Sequence, residues 1–255
     1  MMMCMPDDPE VVCLIVPCYN EAARLDLARF EAGPTRCRFL FVNDGSTDRT
    51  ADLIRARRSP HIFLLDLPRN QGKAEAVRAG MLYAARTPPF KEAEWIGYWD
   101  ADLATPLSEV EGFLRYYRFL EEPVDSIWGS RVYRLGSSIR RNYLRHLAGR
   151  LVATAASFLL GLPSYDSQCG AKLFRREIVE AGFAAPFVSR WLFDMELLLR
   201  LKDYSIVEYP LRRWIDVPGH RFRIVPMAAR VIPDIIRIRM RYGKLSGPKD
   251  CGASD

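Results

Sequence analysis

The chain has 255 residues, 49% of them hydrophobic and 27% charged, which supplies a sizeable core and excludes broad disorder. Lys and Arg number 37 against 31 Asp and Glu, a net charge of +6 that suits an anionic partner without naming one. The longest uncharged run, Leu151 to Tyr165, contains Gly161 and Pro163 and is shorter than the roughly 18 apolar residues a spanning helix needs, so no transmembrane anchor is expected.

The opening MMMCMPDDPE has neither a basic n-region nor a long apolar h-region, and no signal peptide is expected. Val11 to Val16 predicts a buried strand, ended by Pro17, which lacks a ladder donor. Asn20 predicts an N-cap for a helix over Glu21 to Glu31. Phe39 to Val42 predicts a second strand. After its turn, Ser46 or Thr47 is expected to cap a helix over Asp48 to Arg57. Ile62 to Leu65 predicts a third strand, followed by a helix over Lys73 to Arg86. Trp95 to Trp99 predicts a fourth, followed by a helix over Leu107 to Leu120. This alternation implies βαβ crossovers and a mostly parallel, covered sheet. Ligands on such sheets bind beyond the carboxyl ends of the strands, so the chemistry is sought in the turns there.

The second half differs. Between Ile127 and Tyr165 there is no acidic residue but six arginines: Arg131, Arg134, Arg140, Arg141, Arg145 and Arg150. The run 127–131 predicts a strand, Ser138 to Leu160 a helix, Ala171 to Phe174 a strand, Trp191 to Lys202 a helix and Ile206 to Tyr209 a last strand. Arg223 to Tyr242 predicts an amphipathic helix, with prolines at 226 and 233. One domain is expected over 9–222, an amphipathic interfacial segment over 223–244, and a disordered tail over 245–255. The six cysteines, without a CxxC pair, argue against a zinc site and for a reducing compartment.

Four polar turns follow the predicted strands. After the first, Pro17-Cys18-Tyr19-Asn20-Glu21 offers a ring and a hydroxyl at Tyr19 that suit a base; the alternative is an ordinary βα turn. After the second, Asp44 at a strand end can accept a base N–H and a ribose hydroxyl, or merely close an Asx-turn. Arg69-Asn70-Gln71-Gly72-Lys73 joins a lysine to a helix N-terminus, a combination that suits phosphate, although it is not a Walker A loop. Asp100 and Asp102 end an apolar strand with two carboxylates, a cost that a cation would offset. Mg²⁺ or Mn²⁺, which take oxygen ligands, would bridge them to a diphosphate. D-x-D alone is a weak signal; its position among four ordered turns gives it weight.

Taken together, PCYNEAARL, FLFVNDGSTDRTADLI, RNQGKAEAVRAG and WDADLATP resemble the inverting glycosyltransferases of family 2, which have the GT-A fold. Ile127 to Arg131, Asp166 to Phe174 and Arg190 to Glu196 resemble the polyprenyl-phosphate sugar synthases. Dolichyl-phosphate β-glucosyltransferases look most similar, with mannose synthases using GDP-mannose as the neighbouring alternative. The resemblance spans about Val11 to Gly243. It departs at the N-terminus, where eukaryotic members carry a membrane helix, and at Ala104, where mannose synthases place a polar metal-supporting side chain.

The resemblance implies a metal-dependent transfer of a hexose, glucose from UDP-glucose, onto a polyprenyl or dolichyl phosphate. The acceptor is already an anion, so alignment and positive charge matter more than a general base. Asp100, Asp102 and Arg131 are the expected catalytic residues, with Mg²⁺ or Mn²⁺ on Asp102 and Asp100. Donor contacts are expected from Pro17, Tyr19, Glu21, Asp44, Lys73 and Asp100. Acceptor contacts are expected from Arg131, Arg141, Gln168, Lys172, Arg190 and Asp194, the last in sugar recognition or in holding an arginine. Cys169 reads as packing. Arg223, Arg230, Arg237 and Lys244 recur every seven residues and suit a peripheral position on the cytoplasmic face of an anionic membrane. Two other classes compete. A nucleotidyltransferase would need a glycine-rich first loop, which PCYNE is not. A non-catalytic basic module that binds membrane or nucleic acid leaves Asp44, Asp100 and Asp102 unexplained.

Overall fold

The computed structural model describes residues 10–140, 158–162, 164–216 and 224–243. In chain order these contain β1 (Val11–Cys18), α1 (Leu27–Glu31), β2 (Cys37–Asp44), α2 (Thr50–Ala56), β3 (Ile62–Leu67), α3 (Lys73–Arg86), β4 (Ala93–Trp99) and α4 (Glu109–Arg118). Then follow β5 (Ser126–Ser130), β6 (Ser138–Arg140), β7 (Ala171–Arg175), α5 (Val179–Phe183), α6 (Phe193–Arg200), β8 (Ile206–Pro210), β9 (Arg213–Ile215) and α7 (Ile224–Tyr242).

Seven strands form one mixed sheet in the order β3-β2-β1-β4-β7-β5-β8. Side chains alternate across it, as period-2 geometry requires. Cys13, Ile15, Ile96 and Tyr98 pack in one buried layer with α3, α5 and α6. Val12, Leu14, Val16, Trp95 and Trp99 pack in the other with Phe30 and α4. The chain steps outward from β1 to β2 and β3, then returns to place β4 on the other flank of β1. The switch point therefore lies between the ends of β1 and β4.

Among the described strands of this sheet, only β7 runs against both its neighbours. That reversal brings its leading loop to the edge where β4 and β5 end. Trp99 pairs with Ala171 and Tyr98 with Lys172, so Gly170 arrives beside Asp100.

Several local expectations are corrected. Pro17 does not end β1, which continues to Cys18 beside β2. Pairing with β4 stops at Ile15, so the missing N–H falls where the strand has one partner. Asn20 caps no helix; it sits at φ 53° and its Oδ1 accepts from the N–H of Thr47 and Asp48 at 2.8 and 3.3 Å. The helix after it begins only at Leu27, capped by Asp26. Neither Ser46 nor Thr47 caps α2; Asp48 Oδ1 accepts from Thr50 N–H at 2.9 Å. The helix expected from Ser138 is a strand at its start, because β6 pairs in parallel with β9. Residues 141–157, including Arg141, Leu147 and Leu151, and the tail after Gly243 lie outside the described residues.

The C-terminal helix forms as expected and runs through Pro233. Its apolar residues divide: Ile235 and Ile238 are buried in the core, whereas Ile232, Ile236 and Met240 are exposed. Tyr242 donates to Glu196 of α6 at 2.8 Å, and Ser189 donates to Asp234 at 2.6 Å. Among the described residues, no helix is long and apolar enough to cross a membrane.

Candidate active site

The turns after β1 and β2 are laced together by side chains. Asn20 N–H donates to Ser46 Oγ at 2.9 Å, Glu21 N–H to Thr50 Oγ1 at 2.8 Å and Ala22 N–H to Asp48 Oδ2 at 3.1 Å. Tyr19 stands half-exposed above this lattice. The Glu21 carboxylate is paired by Arg24, so its charge is taken up within the turn. The bond from Glu21 raises the Arg24 pKa, and Asp102 adds to it. Arg24 is thus a cation within electrostatic reach of Asp102 that sequence reasoning missed; only its i+3 spacing from Glu21 signals it.

Asp44 is not an open carboxylate. Its two oxygens accept the N–H groups of Gln71 and Gly72 at 2.7 and 2.8 Å, and it is buried. Gly45, at φ +62°, lies against the backbone of Arg69 and Asn70 so closely that any side chain there would collide with it. Asp44 and Gly45 together clamp the 69–72 loop over the switch point.

That clamp aims α3 at the end of β4. Lys73 forms an ion pair with Asp100. Burial works against the Lys73 charge, but Asp100, Asp194 and Asp102 together outweigh it and raise the ammonium above its ordinary pKa. The backbone N–H of Asp100 donates to Gly170 O at 3.0 Å. Its carboxylate rests on Gly170, where a Cβ would overlap it. Asp102 Oδ1 accepts from Ala104 N–H at 3.0 Å. The Ala104 carbonyl accepts from Ile215 N–H at 2.9 Å, and alanine adds no side-chain oxygen ligand at this position. Among the described residues, no three His, Cys, Asp or Glu side chains converge on a metal position. Two hard carboxylate donors fit Mg²⁺ or Mn²⁺ when donor phosphates supply the remaining ligands.

Arg131, just past β5, reaches the same edge but is not an open cation. Its N–H, Nε and Nη2 donate to Asp166 at 2.9, 2.7 and 2.7 Å, and its guanidinium lies 5.4 Å from the Trp214 ring. Burial opposes the Asp166 charge, yet Arg131 overrides it and lowers the carboxyl to about 2. Asp166 heads the run 166–174 that carries the resemblance, but sequence reasoning assigns it no role; its partner Arg131 lies 35 residues away. Gln168 lies half-buried in the turn before Cys169. Burial pushes the Cys169 thiol up to about 12, so it packs and does not attack.

Two expected acceptor contacts are corrected. Lys172 is fully buried and donates to Cys169 O and Asp194 Oδ1, each at 2.6 Å. Asp194, also buried, accepts from Tyr98 OH as well. It holds a lysine rather than an arginine, and neither side chain faces an acceptor. Arg190 is exposed as expected. Its side chain crosses Gly72 and lines a cleft of about 510 Å³ with Arg69, Gln71 and Phe187.

A doubly covered sheet with a carboxylate pair at its switch point, met there by Lys73, is the GT-A architecture of glycosyltransferases. The profile of Glycosyl transferase family 2 matches residues 13–183, and the chain belongs to that family. A dolichyl-phosphate beta-glucosyltransferase of Trichomonas vaginalis is 32% identical, covering 92% of this chain and 75% of its own length. The Homo sapiens dolichyl-phosphate beta-glucosyltransferase is 30% identical, covering 90% and 75%. Glucosyl-3-phosphoglycerate synthase from Mycobacterium tuberculosis, solved with Mn²⁺ and UDP-glucose, superposes with a TM-score of 0.62 at 18% identity over 93% of this chain and 81% of that one. Mannosyl-3-phosphoglycerate synthase from Rubrobacter xylanophilus gives 0.64 at 17% identity over 94% and 78%. These two structures share the fold.

Proposed function

We propose that the protein transfers glucose from UDP-glucose to the phosphate of a polyprenyl lipid, inverting the sugar at C1. The observation that carries this reading is the meeting of Asp100, Asp102 and Lys73 at one edge of the sheet, with carboxylates for a cation and a lysine for the leaving diphosphate. The relatives named above support the glucosyl donor and the dolichyl phosphate acceptor.

In this reading a phosphate oxygen of the acceptor forms the new bond to C1 as the bond from C1 to the diphosphate breaks. No proton need leave the acceptor, which agrees with the inert Cys169 thiol and with the exposed position of His61, away from any base motif. Pro17, Tyr19 and the loop clamped by Asp44 would border the base and ribose. Asp100 and Asp102 would hold Mg²⁺ or Mn²⁺, whose charge offsets that of the leaving diphosphate. Lys73 adds positive charge at the first turn of α3. Arg190, exposed beside the 69–72 loop, is the acceptor-side cation, and Arg131, its charge taken up by Asp166, would border the acceptor.

The outward face of α7 supports a peripheral membrane position. Ile232, Ile236 and Met240 are exposed, as are Phe158 and Leu159, and Arg239 reaches the Leu159 carbonyl. Arg237 and Arg241 lie on the same helix. A lipid phosphate at an anionic surface would be met by an apolar patch edged with arginine.

The test is a panel of UDP- and GDP-linked radiolabelled sugars with a polyprenyl phosphate, the product being extracted into organic solvent. Transfer from UDP-glucose with inversion is expected. No transfer to lipid phosphate from any donor would overturn the reading.

A further inference from the structure

A lysine with no solvent exposure sits directly beneath the carboxylate edge. Lys172 of β7 lies opposite Tyr98 of β4. Its ammonium donates to Asp194 Oδ1 and to Cys169 O, each at 2.6 Å, and lies 4.5 Å from the Trp128 ring and 5.1 Å from the Tyr98 ring. Tyr98 OH donates to the same Asp194 oxygen. Burying an ion pair costs desolvation that its attraction only partly returns, and apolar residues of equal volume commonly stabilise a fold as well or better. Stability therefore does not explain this lysine.

Its neighbours do. The ammonium grips the carbonyl of Cys169, on one side of Gly170. Asp100 N–H grips the carbonyl of Gly170 itself at 3.0 Å. The Gly170 Cα is thus held from both sides against the Asp100 carboxylate, where there is no room for a Cβ.

We propose that Lys172, fixed by Asp194 and Tyr98, is a positioning residue that holds the Cys169–Gly170 backbone under Asp100 and so sets the geometry of the nucleotide-diphosphate site. This rests on the reading of Asp100 as part of that site. Lys172 touches no substrate; it acts through the backbone, at a distance of one peptide unit.

The experiment uses the full chain and the variants Lys172→Met/Asp194→Asn, which removes both charges together, and Tyr98→Phe, which removes a single donor. Thermal melting establishes that each is folded. Hydrogen exchange at the Asp100 amide reads the backbone, and calorimetry with Mn²⁺ and UDP reads the site. The folded double variant is expected to exchange at Asp100 at least tenfold faster and to bind Mn²⁺–UDP at least tenfold more weakly, with Tyr98→Phe shifted a few-fold the same way. If the double variant does not fold, Tyr98→Phe decides alone. Unchanged Asp100 exchange in the folded variants overturns the proposal, as does faster exchange with unchanged Mn²⁺–UDP affinity. Wild-type protein that binds no Mn²⁺–UDP, while the variants still free the Asp100 amide, upholds the backbone role and removes the donor-site reading instead.

Discussion

Gly170 and Asp100 are in contact such that the carboxylate of one occupies the space a side chain on the other would need. The antiparallel entry of β7 beside β4 creates this closeness, and the Asp100 N–H to Gly170 O bond fixes it. Gly170→Ala should therefore displace the carboxylate while leaving the sheet intact. Loss of one electrostatic stabiliser typically costs on the order of 10²–10³ in rate, and a loss of that size is expected here. Single-turnover transfer beside a thermal melt checks it. A variant with wild-type turnover would show that Asp100 need not lie where it does.

Asp102→Ala should abolish transfer, and Asp100→Ala should come close, if the two carboxylates at the end of β4 hold the proposed metal. The loss should reach at least about 10²–10³. Calorimetry should show weaker Mn²⁺ binding in the presence of UDP. Wild-type transfer by Asp102→Ala in the presence of a chelator would remove the metal assignment.

Asp44→Ala deprives the Gln71 and Gly72 amides of their acceptor and should loosen the loop that leads into Lys73. Hydrogen bonds to a charged group are worth about 1.5–3 kcal/mol, and donor affinity should fall within that range. Titration with UDP and with GDP measures it; unchanged affinity for both would separate the loop from the donor site.

The Arg131–Asp166 pair predicts an acid-sensitive element of stability. A carboxylate whose folded pKa is depressed contributes fully above its unfolded pKa and loses that contribution as pH falls through the folded value. For Asp166 the window runs from about pH 4 down to about 2. The contribution is on the order of 2 kcal/mol. Denaturant unfolding of wild type and Asp166→Asn should differ most above pH 4 and converge toward pH 2. A constant difference across that range would contradict the assignment.

Ile236→Glu places a charge on the outward face of α7, where the side chain is exposed, so folding should be little changed. Flotation with anionic vesicles should be reduced, and wild-type binding should weaken with salt, since each basic residue near such a surface contributes ~1 kcal/mol that salt screens. Wild-type protein that fails to float at low salt would argue against the membrane position.

The sequence by itself determined the strand–helix alternation, the four turns at one sheet edge and the family. Short-range periodicity and turn chemistry are local properties, so β1 to β4, α3 and the Asp100–Asp102 pair could be read from residue order. It did not determine which charges would be spent on the protein itself. Asp44, Arg131 and Lys172 all look like ligand contacts in a linear reading. Their partners lie 27 to 28, 35 and 22 residues away, and only the packed sheet brings them within bonding distance. The helix expected from Ser138 begins instead as a strand for the same reason, because its first residues pair with β9. Tertiary structure alone reversed β7 and carried Gly170 under Asp100, since strand direction follows from the way the chain returns to the sheet and not from the residues of the strand.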